Sequence, residues 1–451
     1  MRHAALRPAL LVLAALLGVL VVVGTGAVLP ARTVPAPAAV PVSGTSQLVC
    51  PVPQDQRATL SAVAPGAQPS ELQVTGLDGV PVADPSTEDG VLRADLTGTS
   101  LLVAAEEAAG SVAGVVTRSA ADGSDPGLSQ LGCAPAGSGA WLVGLRSGED
   151  EQAAVVLTNP DQRQAVVNLT LHDEDGQQPA QGSRDLVVPA RSTLTVELGP
   201  LLTATGGVAV QVQTTTGRVA AVGRQRLYRD DTARSSEWVA PGRDPAATVV
   251  LPGVPGGEGA RRLVLFNPGE RRAQVSVEAL GSGAPFVPAG VDGEVDVPAR
   301  GTATVELDEG FSTDATTLRL RGSQPVAASL LAEDPDGDLA VVTSTAALEG
   351  AAVGVAEVEG AQGRLVLANP GGEPARARVL PLAGAGGQEV EVAGGSTVVV
   401  TGGGLGRVEV LAGELHGAVV LASDDGLSSA PLVGTGAVRA AVAPVQDPHL
   451  W

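Results

Sequence analysis

The chain has 451 residues, a formal charge of −21, and 28 arginines with no lysine. So acidic a surface lacks the clustered positive charge that phosphate contacts need, which excludes nucleic-acid binding and disfavours adhesion to anionic lipid. An apolar share of 44% argues against wholesale disorder, while an aromatic share of 2% leaves cores to be built from Val, Leu and Ala.

Residues 1–8 carry Arg2, His3 and Arg7 and no acid, and 9–29 is apolar apart from Gly18, Gly24, Thr25 and Gly26. About 20 apolar residues suffice to cross a bilayer as a helix. The positive flank predicts a cytoplasmic N-terminus, an uncleaved signal anchor over 9–29 and an extracytoplasmic remainder. Cleavage near Ala36–Ala39 is the alternative, but that stretch lies far from the apolar run. A Pro/Ala-rich spacer over 30–45 reads as extended chain leading away from the membrane.

Next comes a β domain over 46–140, holding the only two cysteines, Cys50 and Cys133. An even pair in an exported chain predicts one structural disulfide. Beyond it a motif repeats: Leu157-Thr158-Asn159-Pro160, Leu265-Phe266-Asn267-Pro268 and Leu367-Ala368-Asn369-Pro370. Each is followed by Ala and alternating apolar residues, as in Ala165, Val167 and Leu169. Asn-Pro initiates a turn and the period-2 pattern predicts a strand on either side. The asparagines recur 108 and 102 residues apart, a domain-sized interval. Pro189-Ala190-Arg191 and Pro298-Ala299-Arg300 each precede a further alternating strand, with Ala393-Gly394-Gly395 as the looser third version. Three repeats are therefore expected over 141–240, 241–350 and 351–451. The expected fold is all-β: tandem immunoglobulin-like β-sandwiches, four in a row, after one N-terminal transmembrane helix.

The anchor, Val49-Cys50-Pro51, Cys133 followed by Trp141, the Asn-Pro hairpins and the tail Asp447–Trp451 together resemble an uncharacterised actinobacterial family of single-pass extracytoplasmic proteins, number 5719 among the domains of unknown function. The resemblance implies an envelope location and brings no known catalytic or binding residues.

No catalytic constellation stands out. His3, His172, His416 and His449 offer no plausible base, no Gly-x-Ser-x-Gly elbow occurs, and both cysteines are assigned. Gly402–Gly406 lacks the Gly-Lys-Ser/Thr ending of a phosphate loop. The acidic stretches 172–176 and 334–338 have the oxygen-rich look of calcium loops but fall where hairpin turns are expected, and a solvated turn is the favoured reading. No cofactor or metal is expected. One local basic stretch, Arg224, Arg226, Tyr228 and Arg229 with Trp238 beyond it, is the candidate contact for an anionic polymer or acidic partner. Trp141 and Trp238 are expected to pack at domain junctions. These features predict a non-enzymatic, membrane-anchored scaffold or interaction protein whose partner is an envelope protein or a cell-wall polymer. The alternatives are a cell-wall glycan-binding protein, which needs Trp238, Tyr228 and the arginines in one exposed patch, and an envelope hydrolase, which needs two acids from different units to meet in a cleft.

Overall fold

The computed structural model describes residues 46–435, apart from the short stretches 53–55, 65–70, 105–111, 203–205, 308–310, 312–313, 383–385, 403–404 and 424–425 and the single residues 122, 124 and 359. The expected anchor, the spacer and the C-terminal tail lie outside the described residues. Among those described the chain is all-β with no α-helix, so no helix there is long and apolar enough to cross a membrane. From Gly44 onward the chain forms one compact unit.

The repeated Asn-Pro motif shows how sequence becomes local structure. Asn159, Asn267 and Asn369 are fully buried, each at the end of a central strand. Each Oδ1 accepts the N–H two residues on, at 2.9 Å, closing the turn. Each Nδ2 donates to the carbonyl four residues on (Arg163, Arg271 or Glu373) and to a carbonyl of the returning segment (Val188, Val297 or Val392). One side chain thus satisfies backbone groups of two chain segments that would otherwise be buried without partners. The Pro-Ala-Arg turn docks on the same corner. Arg191 and Arg300 donate their N–H to Asp161 and Gly269, and Gly395 does so to Asn369. All three have positive φ (49°, 52° and 68°), so glycine fits the third site without strain.

Four successive segments each contribute two sheets. In the first, Ser46–Cys50, Ser100–Ala104 and Leu72–Gly76 face a five-stranded sheet in the order Ser86–Glu88, Val91–Leu96, Ala58–Val63, Ala113–Ala120, Gly127–Gly132. Cys50 and Cys133 are disulfide-bonded across this segment. In the second, the sheet Ser192–Glu197, Glu151–Asn159, Ala220–Arg229, Thr232–Val239 faces one built on Ala165–Asp173 and Val208–Thr216. The third uses one 18-residue strand, Thr316–Glu333, in both sheets: its first part pairs with Ala246–Val254 and Ala273–Leu280, its second with Ala260–Asn267 and Leu339–Thr343. The fourth repeats the plan around Ala361–Asn369 and His416–Ser423 on one side and Ala375–Pro381 and Leu405–Ala412 on the other.

The segments do not extend in a line. Val156, Val222 and Trp238 of the second join the core of the first. Val264, Phe266, Ala327 and Leu331 of the third join the core of the second. Val366 and Val420 of the fourth join the core of the third. The cycle closes where Val63, Val91, Ala113 and Val115 of the first pack against Val353, Val355 and Leu382 of the fourth. One sheet of every segment is therefore covered on both faces over at least part of its width. This explains why its central strand is a continuous apolar run, as in Ala153–Leu157, Leu263–Phe266 and Leu365–Ala368, all buried; a strand with a wet face would alternate. At the middle of the ring, Gly127–Gly132 packs against both Thr232–Val239 and Gly426–Pro431, and Leu339–Thr343 packs against the same two.

Candidate functional site

These four axial strands are edge strands of their sheets, and they bring polar side chains from all four segments to one buried place. Ser129 and Gln130, Ser235 to Glu237, Asp338, and Ser428 and Ser429 are all buried there. Glu237 is fully buried and its Oε1 accepts the Trp238 N–H at 3.0 Å. Burial, reinforced by the neighbouring Asp338 charge, holds its carboxyl well above the usual carboxylate range, against the Ser428 hydroxyl bond and the Arg118 charge that oppose the rise. Burial likewise pushes Asp338 up to about 6. The Asp338 carboxylate accepts the Ser235 hydroxyl and the Leu427 N–H, while Ser235 Oγ accepts the Leu339 N–H at 3.0 Å.

Arg118 reaches the same region from the strand Ala113–Ala120. It donates to the carbonyls of Asp125 and Ser236 and to Ser129 Oγ, and burial lowers its pKa. Arg226 forms a two-pronged pair with Asp125, both N···O distances 2.6 Å, and that pairing outweighs burial and raises its pKa. Polar bonds thus cross the joints near the axis, one of them, Arg226–Asp125, an ion pair. Two acids from different segments, Glu237 and Asp338, do meet, but they are 0% and 7% exposed. They lie between packed strands.

The basic stretch singled out in the sequence lies at the joint between the first and second segments. Arg224, Arg226 and Tyr228 alternate along one face of Ala220–Arg229, the face that also carries Val222. Arg224 pairs with Glu197 at 2.7 Å, Arg226 with Asp125, and Trp238, only 4% exposed, sits in the core of the first segment opposite Arg224. Arg229 alone of the five is exposed. The five do not form one exposed patch, because the face that presents them is covered by the first segment. Trp141 packs at the next joint, its ring 5.2 Å from Phe266, and His172 stacks on the same ring at 4.8 Å.

Both acidic stretches are turns, but neither is fully solvated. His172 and Asp173 are buried, with His172 Nδ1 2.8 Å from the Arg300 carbonyl and its pKa lowered by burial. In 334–338 the Asp334 carboxylate accepts the N–H groups of Asp336 and Asp338, and Asp338 itself turns in to the axis. Among the described residues, no group of three or more His, Cys, Asp or Glu converges as a metal site. His416, also buried, meets Thr345 Oγ1 at 2.8 Å, and burial lowers its pKa.

Two open recesses flank this core. One, of about 600 Å³, lies where the chain leaves all four axial strands, between Pro135, Pro241–Arg243, Ser344–Glu349 and Pro431–Gly434. The other, of about 690 Å³, lies on the outer face of the five-stranded sheet of the first segment.

A family model, described as a family of unknown function (DUF5719), matches residues 90–402, more than half of the chain. The chain belongs to that family. No curated protein matches the sequence. The matched region includes all three Asn-Pro corners and three of the four axial strands.

Proposed function

We propose that the protein is a non-enzymatic, membrane-anchored scaffold or interaction protein of the bacterial cell envelope, its paired sheets acting as immunoglobulin-like sandwiches held outside the membrane by a helix over 9–29. The observation that carries this reading is the burial of the charged and polar groups at the axis, where they bond across the joints between segments. Arg118, Asp125, Arg226, Glu237 and Asp338 bond to strands of other segments across the joints. That arrangement supports a rigid body which presents surfaces. An envelope hydrolase would require the Glu237 and Asp338 carboxyls to reach a substrate, and a glycan site centred on Trp238 would require that ring at the surface. Burial of these groups weighs against both.

The test is fractionation of cells producing the full chain, followed by protease treatment of intact spheroplasts. The proposal expects the protein in the membrane fraction and digested from outside. Recovery in the cytosol, or protection from external protease, would overturn it.

A further inference from the structure

The outer face of the five-stranded sheet of the first segment is divided. The alternation that sends Leu60, Ala62, Ala94 and Val116 into the core sends Val63, Val91 and Val115 outward, where the fourth segment covers them. Further along the same strands the outward positions turn polar: Thr59 and Ser61, Arg93 and Asp95, Thr117 and Ser119. Registry sets them side by side, Ser61 opposite Arg93, Thr59 opposite Asp95 and Thr117. They floor the 690 Å³ groove, with Arg57 at its end and Val355 and Val358 of the fourth segment as its apolar wall.

Three features define what fits there. Arg57 and Arg93 have no ion-pair partner among the described residues, in a chain whose net charge is −21. Asp95, the one acid lining the groove among the described residues, accepts the Thr59 hydroxyl at 3.3 Å. Arg118 also lines the groove, but its guanidinium is committed to Asp125, Ser129 and Ser236. The other polar side chains are hydroxyls, suited to ligand hydroxyls, and no aromatic ring lines the groove among the described residues. We infer that this groove binds an anionic glycan: a carboxylate- or phosphate-bearing sugar chain whose charged groups are held by Arg57 and Arg93. Guanidinium groups match carboxylate and phosphate geometry in two-pronged fashion. Without an aromatic platform, neutral sugars have no stacking surface, so charge does the selecting. An acidic peptide fits less well, because Ala58–Val63 is paired on both sides and offers no free edge for strand addition.

The inference rests on the extracytoplasmic reading only for access to such polymers. Its test is titration calorimetry of the detergent-solubilised full chain with a short oligogalacturonate, its methyl ester and hexaglutamate. The acidic sugar is expected to bind and the ester and peptide not to. Arg93→Ala and Arg57→Ala are each expected to weaken binding about tenfold, with melting temperatures unchanged because neither side chain has an ionic partner to lose among the described residues. Arg229→Ala, exposed on another segment, is expected to leave binding unchanged. Equal binding of acid and ester, equal or tighter binding of the peptide, no binding of the acid, or insensitivity to both groove substitutions would overturn the inference. Each of these leaves the fractionation result, and with it the envelope reading, untouched.

Discussion

Replacing Asp338 by Asn perturbs the axis at its most informative point. Burial pushes the Asp338 carboxyl up to about 6 in the folded chain, above the ordinary aspartate value of 3.8. Because the folded value is the higher one, the native state binds the proton more tightly than the unfolded chain does. The associated stability is fully present below about pH 4 and is lost as the pH rises through 6. A displacement of this size corresponds to about 3 kcal/mol. Asn at this position keeps an acceptor for the Leu427 N–H and can donate to Ser235 Oγ, without a charge to bury. Urea unfolding of wild type and Asp338→Asn at pH 5 and pH 7.5 measures the effect. About half of that stability is already lost at pH 5, so the wild type is expected to lose about 1.4 kcal/mol relative to the variant between those two pH values. A difference between the two proteins that is the same at both pH values would refute the assignment of Asp338 as a buried, raised carboxyl.

Other substitutions probe the joints and corners. Replacing Cys50 and Cys133 by Ser opens a loop spanning 83 residues and is expected to destabilise the chain by about 4 kcal/mol on the chain-entropy account, read from urea unfolding. Trp238→Ala removes a buried ring at the joint between the first two segments and is expected to cost about 3–5 kcal/mol. Limited proteolysis should then show early cutting between those segments. Asn267→Ala leaves the carbonyls of Arg271, Val297 and Pro298 without their side-chain donor and is expected to cost about 2–4 kcal/mol. Asn267→Asp should fare no better, because a carboxylate cannot donate to those carbonyls.

The elements that sequence pattern reveals best are those whose partners lie nearby. The Asn-Pro corners are legible because Asn, Pro and the alternating strand beyond them fall within ten residues; the structure adds that the asparagine is buried and that its amide bonds the returning segment. The basic stretch from Arg224 misleads for the opposite reason. The carboxylate that pairs with Arg226 is Asp125, 101 residues away, and the surface that buries Trp238 belongs to another segment. Asp338 looks like part of a wet turn because Asp334 to Gly337 is one; only the meeting of Ser235 and Leu427 from two other segments makes its carboxyl buried. One signal for the ring was available. The runs Ala153–Leu157, Leu263–Phe266 and Leu365–Ala368 are apolar at every position, which a strand with a solvent face does not need. Arg93 and Thr117 gave no such signal, since a charged or hydroxyl residue at an outward position reads the same whether it faces bulk water or a groove.

Closure of the four segments into one body is the claim on which the buried axis, the joints and the groove all depend. Small-angle X-ray scattering of the chain from Gly44 onward tests it most directly. A compact body of this length is expected to have a radius of gyration of about 22 Å. A value roughly twice that, with the elongated distance distribution of segments in a row, would contradict the account.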